Sequence, residues 1–163
     1  VSSASVRARG RELALWILCH LEAYPGAERA SALALFWAEP PAIEPDDPFL
    51  TPALAHELAA LIADAEVRRF AGRLVDGWLA RATECDALID EQSQRWRVAR
   101  MDRVDRNVLR LAALELSGES TPRPVVVAEA VRLAARYGSE RSPTFVNGIA
   151  EALAKQLRDD KGS

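Results

Sequence analysis

Apolar residues recur every three to four positions along most of the chain, and no stretch alternates strictly enough to read as a β-strand. Over residues 5–24, Leu13, Trp16, Ile17, His20, Leu21 and Tyr24 fill one face of a helical wheel. Ala14 and Leu18 widen that face, so the first helix is expected to be covered from more than one direction. A short helix is predicted near Ala30–Trp37, and Pro40, Pro41, Pro45 and Pro48 among acids predict a stiff, exposed connector. Thr51-Pro52, a capping residue followed by proline, restarts the helix. Residues 53–94 read as one long helix with breaks or close packing at Gly72 and Gly77. A helix over Asp102–Leu116 should stop at Ser117-Gly118, and one over Val125–Tyr137 should close at Gly138. Ser142-Pro143 then opens a last helix burying Phe145, Ile149, Leu153 and Leu157, with Gly148 admitting a neighbouring backbone. The pattern predicts an all-α protein of six or seven helices.

Composition narrows the function classes. The chain has 163 residues, 49% hydrophobic and 28% charged, enough to bury a sizeable core. No apolar run approaches the ~20 residues of a membrane span. Leu13–Cys19 behind Arg7, Arg9 and Arg11 has the outline of a secretory signal, but His20 and Glu22 interrupt it and no small-residue cleavage site follows. It reads as a helix of the mature chain. Cys19, Cys85, His20 and His56 show no metal-ligand spacing, so no metal or other cofactor is expected. Two thiols suggest a reducing, cytoplasmic setting. Phosphate-binding glycine loops, a nucleophile elbow and a zinc-protease motif are all missing, so the chain does not read as an enzyme.

Charge is unevenly placed. Residues 25–66 carry eight acids against Arg29 alone, a local charge of −7 within an overall −3. Arg95, Arg97, Arg100, Arg103, Arg106 and Arg110 face only Asp102 and Asp105 in their segment. Such a division lets one side attract nucleic acid while another repels it, or it reflects solvated helix faces with internal ion pairs. Asp105, Arg106 and Arg110 read most simply as helix-face pairs.

Three segments in series carry a resemblance. They are R-A-R-G-R-E-L-A-L-W-I-L from Arg7; Trp96-x-x-x-Arg100 with D-R-N-V-L-R-L-A-A-L-E-L from Asp105; and V-V-V-A-E-A-V-R-L-A from Val125 with Y-G-S-E-R-S and Phe145-Val146-Asn147-Gly148. Together they resemble the NusB family of bacterial transcription antitermination factors. The resemblance implies a single domain over 1–163 of two perpendicular three-helix bundles, about 1–80 and about 81–163, with room for one extra short helix. It also implies a non-enzymatic partner of NusE, a small-subunit ribosomal protein. The pair would bind single-stranded boxA RNA and act with other Nus factors on the elongation complex. By motif position, Arg7, Arg9, Arg11, Tyr137 and Arg141 should lie near RNA, and Cys19 and Asp105 near NusE. Arginine suits phosphate by forked hydrogen bonding whether that first segment is an extended arm or a helix. Tyr137 could stack on an unpaired base or pack as a half-buried core ring.

Some positions depart from the family pattern. Cys19 stands where an aromatic is usual, Ala128 for a usual asparagine, Ala135 for a usual lysine, and Arg141 where an acid is frequent. Beside RNA, Arg141 should strengthen phosphate attraction, whereas the acidic 25–66 segment and the Cys19 and Ala128 changes keep a second reading open: a helical protein–protein adaptor or homodimer without boxA binding. A third, a fragment of an rRNA methyltransferase with a NusB-like domain, lacks methyltransferase motifs in these 163 residues.

Overall fold

A computed structural model describes residues 2–40, 51–118 and 120–159. Seven α-helices, and no strand among the described residues, form the architecture. They are α1 Ser3–Leu21, α2 Arg29–Ala38, α3 Pro52–Ala63, α4 Ala65–Gln92, α5 Arg103–Ser117, α6 Arg123–Tyr137 and α7 Ser142–Asp159. Short 3-10 turns stand at Gly26–Glu28 and Val98–Arg100. The all-α expectation holds. The chain forms two compact units, Val1–Val75 and Asp76–Ser163. The expected proline connector falls largely on 41–50, outside the described residues.

In the first unit α1 begins at Ser3, capped by the Ser2 hydroxyl accepting from Ser5 N–H, so the arginine segment is helical. Leu13, Ala14, Leu15, Ile17, Leu18 and Leu21 are all buried, which explains the wide apolar face. Trp16 and His20 are only partly covered, and Tyr24 lies past the helix end. His20 packs against Tyr24 and Phe36, and its partial burial lowers its pKa.

The long helix expected over 53–94 is interrupted at Asp64, not at its glycines. Asp64 takes an extended ψ of 111°, and its carboxylate accepts from the backbone N–H groups of Glu66 and Val67 at 3.1 and 3.2 Å. An Asp side chain offers the backbone an alternative to helix continuation and so starts α4 afresh. The Thr51 cap forms as the sequence indicates, accepting from Leu54 N–H. Within α4, Arg81 alone leaves helical geometry, at φ −131° and ψ 23°, and forks onto Glu84 at 2.9 and 2.5 Å.

In the second unit α5, α6 and α7 pack on one another. Gly77 meets Leu114 at 3.3 Å from where a Cβ would stand, so its small size serves packing, whereas Gly72 faces open space. Gly138 is not in the left-handed cap conformation, having φ −90°. A Cβ there would lie within 2.6 Å of Ser142 Oγ and Cβ, so glycine is required by that close approach. Gly148 has nothing within 4 Å and is exposed, contrary to the close backbone contact expected of it. On α7 the deepest residues are Val146, Ala150 and Leu153, with Ile149 close behind, while Phe145 and Leu157 are half-buried at its margins.

Gly10 makes the sharpest steric demand of the first unit. A methyl group on it would stand 2.5 Å from Phe70 Cδ1 and 3.2 Å from Phe70 Cβ and Cγ. Helix propensity favours Gly10→Ala by about 1 kcal/mol, but overpacking costs about 1–3 kcal/mol. Urea denaturation should show a net loss for Gly10→Ala and no loss for Gly72→Ala.

Candidate nucleic-acid and partner interface

Fixing the first ten residues of α1 sorts the three arginines. They no longer project alike, as an extended arm would allow. Arg7 is exposed. Arg9 is half-buried and paired with the Asp64 carboxylate at 2.9 Å. Arg11 is 3% exposed, with its guanidinium 5.4 Å from the Phe70 ring centroid. Arg11 is therefore part of the packed interior of this unit, not of its open surface. Asp64 has its pKa lowered, above all by the Val67 N–H bond; desolvation, second in size, opposes this, and the Arg9 and Glu66 bonds add to the lowering. The carboxylate that caps α4 thus also orients the middle arginine.

Arg7 lines a cleft of about 310 Å³ with Ser3, Val6, Glu66, Arg69, Phe70 and Arg73. Three guanidinium groups oppose one carboxylate there. Arg69 and Arg73 carry a signal the sequence analysis passed over, an i, i+4 arginine pair on one helix face. Summing charge over 25–66 obscured it, because that window ends just before them.

A second cleft, in the Asp76–Ser163 unit, unites two residues assigned to different ligands. About 350 Å³ in volume, it is lined by Trp96, Arg100, Met101, Asp102, Asp105, Ser139, Arg141 and Phe145. Arg141 and Asp105 therefore share one site. Ser142 builds the corner: Ser139 N–H donates to Ser142 Oγ at 2.9 Å, closing the turn that carries Arg141. Trp96, 53% exposed, is the open aromatic of this cleft beside the half-buried Phe145, an exposure that the spacing of its motif does not reveal. Tyr137 is not among the lining residues. It is half-buried, and the Arg136 guanidinium lies 5.2 Å from its centroid.

Asp105 is 6% exposed, and its Oδ1 has no hydrogen-bond partner. Burial raises its pKa, Ser142 hydrogen bonding lowers it, and the Asp102 charge raises it further. It forms no ion pair with Arg106 or Arg110. Arg106 donates to the Met101 carbonyl at 2.6 Å, and Arg110 turns inward to Asp86 at 2.7 and 2.9 Å. The helix-face pairing read from sequence is thus replaced by a buried, half-satisfied carboxylate and an inter-helix fork. Cys19 is half-buried on α1; Cys85 is buried, its thiol pushed up to about 11 by desolvation, which makes it unreactive near neutrality.

Among the described residues, no group of three or more His, Cys, Asp or Glu could hold a metal ion, and no helix is long and apolar enough to cross a membrane.

A carboxylate whose folded-state pKa is raised binds its proton more tightly folded than unfolded. Its contribution is therefore most favourable below the unfolded value of about 4 and declines as pH rises through the folded pKa. Asp105→Asn keeps the shape and removes this titration. Urea denaturation across the carboxylate range should show the variant gaining on the natural chain as pH rises, with a plateau above the folded pKa. A gain that shrinks with rising pH would mean the ionised form is held favourably.

The NusB family profile matches residues 11–155. The transcription antitermination protein NusB of Sorangium cellulosum (strain So ce56) is 40% identical over 152 residues, covering 93% of each chain. That of Myxococcus xanthus (strain DK1622) is 37% identical over 152 residues, covering 93% of this chain and 96% of its own. A solved structure of T. maritima NusB matches with a TM-score of 0.65 at 31% identity, covering 92% of this chain and 91% of that one. Profile, full-length relatives and helical architecture agree, and the chain belongs to the NusB family of transcription antitermination factors, a non-enzymatic family.

Proposed function

We propose that this chain binds single-stranded boxA RNA together with NusE, as a cytoplasmic antitermination subunit that acts with other Nus factors in ribosomal RNA transcription. The observation that carries the reading is the end-to-end likeness to proteins named for transcription antitermination, at up to 40% identity over 93% of both chains. The surface chemistry supports it. Arg7 stands in a cleft where three guanidinium groups meet one carboxylate. Arg100 and Arg141 line the same cleft as an exposed indole, the combination of cation and stacking face that suits an unpaired base. Asp105, with an unsatisfied oxygen in the same cleft, suits a hydrogen-bond donor brought by NusE. Cys19 would contribute only a small, weakly polar contact to that partner.

The second reading, an adaptor or homodimer without boxA binding, draws on one observation. Of the three N-terminal arginines, Arg9 is paired and Arg11 is buried, which leaves Arg7 as the exposed one. Labelled boxA RNA titrated with this chain alone and with NusE separates the readings. Weak binding alone and tight binding for the pair is the expected result; no binding by the pair favours the adaptor.

The arginines should not contribute equally. With the NusE complex at several salt concentrations, Arg7→Ala should flatten the log–log salt slope by about 0.7, one single-strand phosphate contact. Arg11→Ala should instead lower the urea midpoint, because its stem and guanidinium are packed on Phe70.

A further inference from the structure

The cleft between the start of α1 and the start of α4 carries more positive charge than its own fold uses. Arg7, Arg69 and Arg73 are exposed, and none of the three pairs with a carboxylate among the described residues. Glu66 shares the cleft without pairing to any of them, so the net charge is +2. Arg69 and Arg73 lie one helical turn apart, where like charges oppose each other. The arrangement therefore costs stability in the free protein. Arg9 of the same unit is answered by Asp64, whereas Arg68 faces only the Trp37 ring at 5.3 Å. Three cations without a carboxylate partner, Arg7, Arg69 and Arg73, are gathered into a single depression. Its floor includes Phe70, half-buried, with Arg73 positioned 5.6 Å from the ring centroid.

We propose that Arg69 and Arg73 of α4, with Arg7 of α1, form a phosphate track that holds the backbone of single-stranded RNA. This rests on the RNA-binding reading above and extends it to a second helix and to two residues outside the N-terminal arginine segment. The chemistry favours consecutive phosphodiesters over a lone anion. Two arginines whose backbone positions lie about 6 Å apart along the helix axis can present forked donors to neighbouring phosphates of one strand. It also favours RNA over an acidic protein segment, because the cleft offers little apolar surface beyond Phe70 and Val6 on which such a segment could anchor. Contacts of this kind position a strand without reading its sequence.

The test uses the full chain with NusE and labelled boxA RNA, over four or five salt concentrations. Arg69→Ala/Arg73→Ala should reduce the salt slope by about 1.4 and weaken binding roughly tenfold at 0.15 M salt, by the same amount for scrambled single strands. Arg69→Lys/Arg73→Lys keeps the charge and should keep the slope. Both residues are exposed and repel each other, so thermal melting should stay the same or rise slightly; if the alanine pair does melt early, Arg69→Gln/Arg73→Gln serves in its place. An unchanged slope with tight binding by the natural complex overturns the track and leaves the RNA reading standing. Loss of NusE binding without RNA would show a protein site instead, and overturn it. Failure of the natural complex to bind boxA at all sinks both.

Discussion

Arg110 sets the register of α5. It is 9% exposed, and its guanidinium donates from Nε and Nη2 to both oxygens of Asp86 and from Nη1 to Asn107 Oδ1 at 3.0 Å. The Trp78 ring centroid lies 5.8 Å away. Asn107 is itself fixed, donating to the Arg103 carbonyl at 2.9 Å. A fork of this kind fixes rotation and translation of α5 against α4 at once, because both oxygens must be met in the plane of the guanidinium. Removing one partner of a buried pair strands the other, a loss of about 3–5 kcal/mol when burial is complete. Asp86 is about a third exposed, which reduces that figure here. The functional consequence lies five residues earlier. Once Arg110 faces Asp86, Asp105 is carried round the helix toward Ser142, with one oxygen left without a donor.

Helix existence was legible because it rests on periodicity, and periodicity survives tertiary context. Capping was legible where a side chain announces it, as at Thr51 before Pro52. What could not be read was competition between equivalent local signals. Asp64 follows the apolar stretch 58–63, and nothing in that stretch tells that its carboxylate will cap α4 and not simply face water. Gly138 was placed correctly but for a different reason: the helix ends there in extended geometry, and the glycine makes room for Ser142. Gly148 shows the converse, since an isolated helical glycine suggests close packing only until its surroundings are seen.

The same limit governs the candidate site. A sequence gives the number of cations but not which of them the fold consumes. Arg9, Arg11 and Arg110 all count toward a basic surface in the sequence, and all three are engaged in holding helices together. Arg69 and Arg73, just beyond the acidic 25–66 segment, prove to be exposed and to share a depression with Arg7. Net charge therefore ranks the residues wrongly in both directions. Burial and pairing, which depend on contacts distant in sequence, decide which guanidinium groups remain to meet a ligand.

The two clefts differ in a way that matters for recognition. In the Val1–Val75 unit the lining is three arginines around a phenyl ring, donors of fixed charge with one acid among them. In the Asp76–Ser163 unit cations stand beside an exposed indole, a half-buried phenyl ring and a buried carboxylate with an open acceptor site. The first chemistry attracts any phosphate chain and cannot tell one base from another. The second can discriminate, since stacking faces and an unmet acceptor reward only a correctly placed donor and penalise its absence. Under the RNA-binding reading, affinity and selectivity are thus assigned to different units. The selective cleft depends on α5 being held in register by Arg110, whereas the attractive one depends on Gly10 and Phe70 bringing α1 and α4 close together. A protein built this way gains little RNA affinity from the carboxylate cleft by itself, because Asp105 and Asp102 offset Arg100 and Arg141 until a partner supplies a donor. Under the proposed reading, that balance would make tight binding depend on a partner.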